Sequence, residues 1–250
     1  MRTAIWVGAL VALAISSLAF SRPASAGPSD YVFTPIVEEG EREIDIKAGT
    51  AKSRDGARES KYSAGLGLGV NGWWFTEVYA IWHKLPNERH GFDAWEWENK
   101  FQLTETGRYP VDVGLLFEIE RPKDRSEGYE YRWGPLLQAD ITPDIQANLN
   151  LLFEKHIRSS APGKAELGYQ WQVKYRWRPS FEYGMQGFGD VGPWNDWEPR
   201  SAQPHVAGPA VFGRIGLGAR QAIKYNAGLL FGLTDGAPRH TFRLQAEYEF

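Results

Sequence analysis

Hydrophobic and polar residues alternate along most of this chain. In "HTFRLQAEYEF", Phe242, Leu244, Ala246, Tyr248 and Phe250 share one face, while Thr241, Arg243, Gln245, Glu247 and Glu249 share the other. A strand with one apolar and one charged face suits a wall between lipid and water. The same two-residue period recurs upstream. Its apolar faces carry Ile44, Ile46 and Ala48; Tyr62, Ala64, Leu66, Leu68 and Val70; Trp74, Thr76, Val78, Ala80 and Trp82; Trp95, Trp97, Phe101 and Leu103; and Val111, Val113, Leu115, Phe117 and Ile119. Further along come Tyr131, Trp133, Leu137, Ala139 and Ile141; Ile145, Ala147, Leu149, Leu151 and Phe153; and Leu167, Tyr169, Trp171, Val173, Tyr175 and Trp177. A short ninth segment has Phe181, Tyr183 and Met185, followed by Ala207, Pro209, Val211 and Ile215, and by Ile223, Tyr225, Ala227, Leu229 and Phe231.

With the last segment this predicts about twelve strands, the even number expected of a single-chain barrel. The fold class that follows is all-β: a transmembrane, antiparallel, up-and-down β-barrel. Connections alternate too. Asn71-Gly72, a strong hairpin signal, "TETGR", "TPD" and "RPS" are short. "AKSRDGARES", "KLPNERHG", "RPKDRSEG", "RSSAPGK" and the stretch from Gly187 to Pro204 are longer and polar. Trp74 and Trp82 lie eight residues apart on one face, as do Tyr169 and Trp177. Along tilted strands that interval covers roughly 20 Å, which predicts two aromatic girdles around a lipid-facing band.

The N-terminus changes the picture of where such a wall would stand. Arg2, the apolar run from Ala4 to Phe20, and the small residues Ala24-Ser25-Ala26 read as a secretory signal peptide over residues 1–26. Residues 27–40 then form a periplasmic segment before the barrel, which spans 41–250; that segment could equally cap the lumen or touch a partner. Beyond residue 26 no apolar run approaches the roughly 18 residues of a membrane helix. Strand alternation hides hydrophobicity from any average, so a mean hydropathy of −0.44 is no argument against a barrel. There are no cysteines, hence no disulfides or thiol chemistry. Without Arg2 and Arg22 the 28 bases fall to 26 against 31 acids. Nothing in this balance points to nucleic acid.

If the apolar face meets lipid, the charged face lines a lumen. The first six strands turn many carboxylates inward, including Glu96, Glu98, Glu118 and Asp140, and few bases. The last six are balanced, with Lys174, Arg176 and Arg243 among the inward bases. Such groups are too costly to bury unpaired. They line either a narrow hydrated pore favouring cations or polar solutes or a salt-bridged interior with no through-path. Gly65, Gly67 and Gly69 leave a smooth inward patch, and "GLGLG" lacks the helix a nucleotide loop needs.

Signals for an enzyme are weak. His205 and His240 fall near strand ends on the apolar face, with no evident serine partner. His83, His90 and His156 sit towards the outer rim near acids such as Asp93 and Glu154, without a metal-ligand spacing. No catalytic residue, metal or cofactor is assigned. The loop "GDVGPWNDWEP", with Trp194 and Trp197, is the most distinctive one.

Taken whole, the chain resembles Gram-negative outer-membrane β-barrel proteins of the porin-like kind. That resemblance implies an outer-membrane location, contact with outer-membrane lipid, and recognition of the Tyr248 and Phe250 ending by the barrel-assembly machinery. The ending "LLFGLTDGAPRHTFRLQAEYEF" is also similar to endings among uncharacterised outer-membrane channels. This implies, at most, passive movement of a small solute. The functional expectation is a narrow passive channel for small polar or cationic solutes. A closed structural or interaction barrel and an interfacial lipid-modifying enzyme are the alternatives.

Overall fold

The computed structural model describes residues 27–160, 163–219 and 221–250. The signal-peptide region lies outside the described residues. Twelve strands follow in chain order: β1 (Arg42–Lys52), β2 (Arg58–Asn71), β3 (Trp74–Lys84), β4 (Gly91–Gln102), β5 (Asp112–Pro122), β6 (Tyr129–Thr142), β7 (Ile145–Ile157), β8 (Glu166–Arg178), β9 (Phe181–Pro193), β10 (His205–Gly216), β11 (Ala222–Gly232) and β12 (His240–Glu249). Each pairs antiparallel with its chain neighbours, and β1 pairs with β12, so the sheet closes on itself. Closure removes the unpaired edge that an open sheet would present to lipid. Among the described residues no helix is long and apolar enough to cross a membrane.

The predicted alternation is what orients the wall. On β1, Ile44 and Ile46 point outward at 40% and 55% exposure, while Glu43 and Asp45 point inward at 6% and 1%. The short connections share one end of the barrel with Arg42 and Glu249, here termed the turn end; the longer ones crowd the loop end. The Asn71-Gly72 hairpin forms with a local register shift after Gly69. The Asn71 side chain closes it by accepting from the backbone N–H groups of Trp73 and Trp74, both at 3.0 Å.

Two expectations need correction. The ninth segment is not short: β9 runs on from Met185 to Pro193, through residues read as part of a loop. Its outward positions there include Gly187 and Gly189, which carry no apolar signal. The reason is packing on the outer face. A Cβ at Gly187 would sit 2.3 Å from the Trp171 indole, and one at Gly189 would strike Tyr169 and His205.

The second correction concerns residues 27–40. They do not hang free in the periplasm but run inside the barrel, in line with the alternative of a segment that caps the lumen. Ser29, Tyr31, Val32, Phe33 and Val37 are all buried. Pro28 presses on Gly49, where a Cβ would lie 1.8 Å from the Pro28 carbonyl; Glu38 presses on Gly69 in the same way. The segment therefore descends from the loop-end half of β1 to the turn end. There Gly40, at φ 76°, makes the left-handed bend that leads into β1. The physical cause is apolar. Tyr31 and Phe33 pack with inward Leu116, Leu136 and Leu152. Val32 packs with Phe188, Val206, Leu230 and Ala237. These inward leucines and their neighbours would otherwise face a polar lumen.

Candidate functional site in the barrel lumen

The lumen has two unlike walls. On β3, β4 and β5, Glu77, Glu98 and Glu118 stand directly opposite one another across the strands. One step towards the loop end, Glu96, Glu120 and Glu130 form a second row on β4, β5 and β6. Like charges directly opposite destabilise a sheet, so these rows are not there for strand pairing. Few bases answer them. Lys47 lies between the Tyr31 and Tyr79 rings, 3.8 and 3.6 Å from their centres. Its Nζ is 3.6 Å from Asp45 and 4.0 Å from Glu98. Arg132 reaches Glu118 at 3.2 Å but also serves Glu130 and Glu154. Lys61 approaches Glu120 at 3.9 Å.

The facing wall is built from amides. Asn148 donates to Gln138 at 3.0 Å, Gln172 to Asn148 at 3.1 Å, and Gln186 to Gln172 at 2.8 Å. Arg243 donates to Gln186 at 2.9 Å, bridging β12 to β9 across the two intervening strands. Nearby, Asn150 donates both to Gln170 and to the Phe33 carbonyl, each at 3.1 Å. An amide carries both donor and acceptor, so a chain of them can satisfy itself without charge.

The N-terminal segment joins the two walls. The Tyr31 hydroxyl donates to Glu98 Oε2 at 2.9 Å, and the Val37 N–H donates to Gln102 at 2.8 Å. Glu41, where the segment ends, is held by Lys224 at 3.0 Å. At the loop end, Thr234 donates to the Gln203 carbonyl at 2.6 Å and Gly236 to the Ser201 carbonyl at 2.8 Å, tying two loops together near the segment's tip. A cavity of about 10 Å³ remains between that tip and these loops, and one of about 30 Å³ beside Tyr31, Glu96 and Glu118. These volumes suit one or two waters each, not a solute.

The residues expected to line the lumen separate into groups. Glu96, Glu98 and Glu118 come together. Asp140 and Arg176 pair with each other at the turn end, away from them. Lys174 pairs with Glu182 at 2.9 Å, and Arg243 belongs to the amide wall. On the outer face Trp82 and Trp177 are exposed, and Trp74 and Tyr169 half-buried. Trp74 stacks on Phe101, and Tyr169 on His205. Tyr248 and Phe250 stack at 5.7 Å. His205 is bound by the Tyr169 hydroxyl at 2.9 Å and by Gln203 at 2.8 Å; His240 packs edge-on against Phe231. His83 meets Glu59 and Asp93, and His156 meets Glu130 and Glu154, at the loop end. Trp194 and Trp197 are exposed.

Sequence reasoning passed over the inward apolar patches, though a signal exists. Leucine doublets at 115–116, 136–137, 151–152 and 229–230 each break the alternation. In each, one leucine faces out and the other, Leu116, Leu136, Leu152 or Leu230, faces in.

No family profile matches the chain, and no curated protein matches it. Solved structures do. The NanC porin superposes with a TM-score of 0.56 at 11% identity, over 83% of this chain and 98% of that one. The Acinetobacter baumannii outer membrane protein Omp33 gives 0.45 at 12% identity, over 85% of this chain and 99% of that one. The first of these likenesses, at so low an identity, is one of fold. This chain has the closed, antiparallel, up-and-down fold of outer-membrane β-barrels.

Proposed function

We propose that the protein is a narrow passive channel of the Gram-negative outer membrane for small polar or cationic solutes, held shut in this conformation by its own N-terminal segment. The observation that carries this reading is what fills the lumen. Much of the filling is not the wall itself but a separate stretch of chain, residues 28–37, attached through the bend at Gly40. Withdrawal of that stretch uncovers a bore lined by Glu77, Glu96, Glu98 and Glu118. Fixed negative charge in a low-dielectric wall concentrates cations. The porin-like fold supports the reading, in which the short turns face the periplasm and the longer loops the outside.

Single-channel recording in a planar bilayer under a salt gradient tests it. The mature chain is expected to be quiet or to open briefly, and a variant lacking residues 27–37 to give steady cation-selective steps. Charge reversal at Glu96 and Glu98 then lowers the cation preference.

One observation favours a second reading, a permanently closed structural barrel. The Arg243–Gln186 bond crosses part of the lumen, from β12 over two strands to β9, without help from the segment. A deletion variant that is silent in the bilayer, yet folded by heat-modifiable gel migration, decides for that reading.

A further inference from the structure

The acidic wall carries more negative charge than its neighbours neutralise. Glu77, Glu98 and Glu118 oppose one another on three successive strands, and Glu96 lies two residues from Glu98 on the same face. Glu77, Glu98 and Glu118 are 2%, 0% and 1% exposed. Of the bases, Lys47 is shared between Asp45 and Glu98, and Arg132 among Glu118, Glu130 and Glu154. Lys100 lies over the Phe75 ring, 4.3 Å from its centre. After these contacts, buried carboxylate oxygens of Glu77 and Glu98 still lack a hydrogen-bond partner. An ionised carboxylate in that position is strongly destabilising unless a counter-charge reaches it.

The geometry supplies a place for one. Glu96, Glu98 and Glu118 each offer an oxygen, and these oxygens lie within 4.8 Å of one another. The cavity of about 30 Å³ adjoins Glu96 and Glu118, and its lining also includes Lys47, Lys61 and Arg132. We propose that Glu96, Glu98 and Glu118 form a luminal binding site for a hard divalent cation of the calcium class. Calcium accepts an irregular set of carboxylate and water oxygens, whereas magnesium demands a near-ideal octahedron, so three carboxylates on neighbouring strands suit the larger ion. Waters in the adjoining cavity complete the coordination. The Glu130, Glu154 and His156 cluster is the weaker candidate: Arg132 pairs with both of its acids, whereas of Glu96, Glu98 and Glu118 it reaches Glu118 alone, and Glu98 keeps an oxygen without a hydrogen-bond partner. The site does not require conduction: an open or a permanently closed barrel holds it equally.

The test uses the mature barrel folded in detergent, stripped with a chelator and titrated with calcium chloride by calorimetry. Magnesium chloride is the comparison. One saturable calcium per barrel is expected, with weaker binding of magnesium. Glu98→Gln combined with Glu118→Gln abolishes it. Glu96→Gln alters the least buried of the three; it weakens binding about tenfold and covers the case in which the double variant does not fold. Glu154→Gln leaves it unchanged. Absence of saturable calcium binding in the unaltered barrel overturns the proposal. So does binding that survives Glu96→Gln at full strength, or that is lost in Glu154→Gln instead.

Discussion

The two halves of the lumen solve the same problem in opposite ways. Both are buried, both are polar, and both are touched by the N-terminal segment. The amide wall, from Gln138 through Asn148, Gln172 and Gln186 to Arg243, hydrogen-bonds to itself. The acidic wall, from Glu77 through Glu98 to Glu118, does not, because carboxylates accept and cannot donate when ionised. It must recruit Tyr31, Lys47, Arg132 or a bound cation. The amides of the first wall thus pair among themselves, while Arg243 at its end keeps two buried nitrogens, and Asn150 an oxygen, without a hydrogen-bond partner. The other is arranged to meet something from outside itself, which is what a pathway or a site requires.

The segment lying between the walls gives the largest expected effect. Tyr31 and Phe33 close the apolar patch of Leu116, Leu136 and Leu152. Removing a buried aromatic side chain costs about 3–5 kcal/mol when it leaves a packed core. Tyr31→Ala with Phe33→Ala should thus shift the segment from docked to free by about a hundredfold or more. Because the chain has no cysteine, a single reporter Val32→Cys reads this directly. Its reaction with a water-soluble maleimide should accelerate by about the same factor. An unchanged rate means that other contacts, such as that of Val37 with Gln102, hold the segment in place.

Next in size is damage to the amide wall. Gln172→Leu orphans the Asn148 carbonyl oxygen and a donor of Gln186. Each buried group left unpaired costs about 1–3 kcal/mol. The midpoint of urea unfolding, followed by tryptophan fluorescence in detergent, should fall accordingly. A midpoint at or above that of the unaltered protein means that luminal water replaces the lost partners, and that this wall is wetter than its hydrogen bonds imply.

Much of this architecture was legible as alternation. Where lipid-facing residues are large, as Ile44 and Ile46 on β1 or Trp95 and Trp97 on β4, the two-residue period gives the strand and the direction of each side chain. It failed on β9 past Met185, because outward glycines there make room for Trp171 and Tyr169, and a glycine has no face. The inward direction of Glu96, Glu98 and Glu118 was legible for the same reason. Their juxtaposition was not. Register depends on hairpin geometry and on the shifts at Gly69 and Ile81, which a periodic pattern does not encode. The path of residues 27–40 was hidden too, since Tyr31, Val32 and Phe33 follow no period and are held by leucines distant in sequence.

The smallest effect has the opposite sign and separates the walls most cleanly. Glu77 stands opposite Glu98, is almost fully buried, and has an oxygen with no hydrogen-bond partner. Glu77→Gln keeps the shape, removes one of two facing charges and adds a donor. Relief of a like-charge cross-strand pair is worth about 0.2–1 kcal/mol. Measured with a chelator present, the urea midpoint should therefore rise, whereas Gln172→Leu lowers it. With calcium at saturation the rise should shrink, because a bound cation next to Glu98 already screens that repulsion. A fall in the midpoint without calcium would show that Glu77 is already neutral or paired. In that case the two walls differ in composition alone.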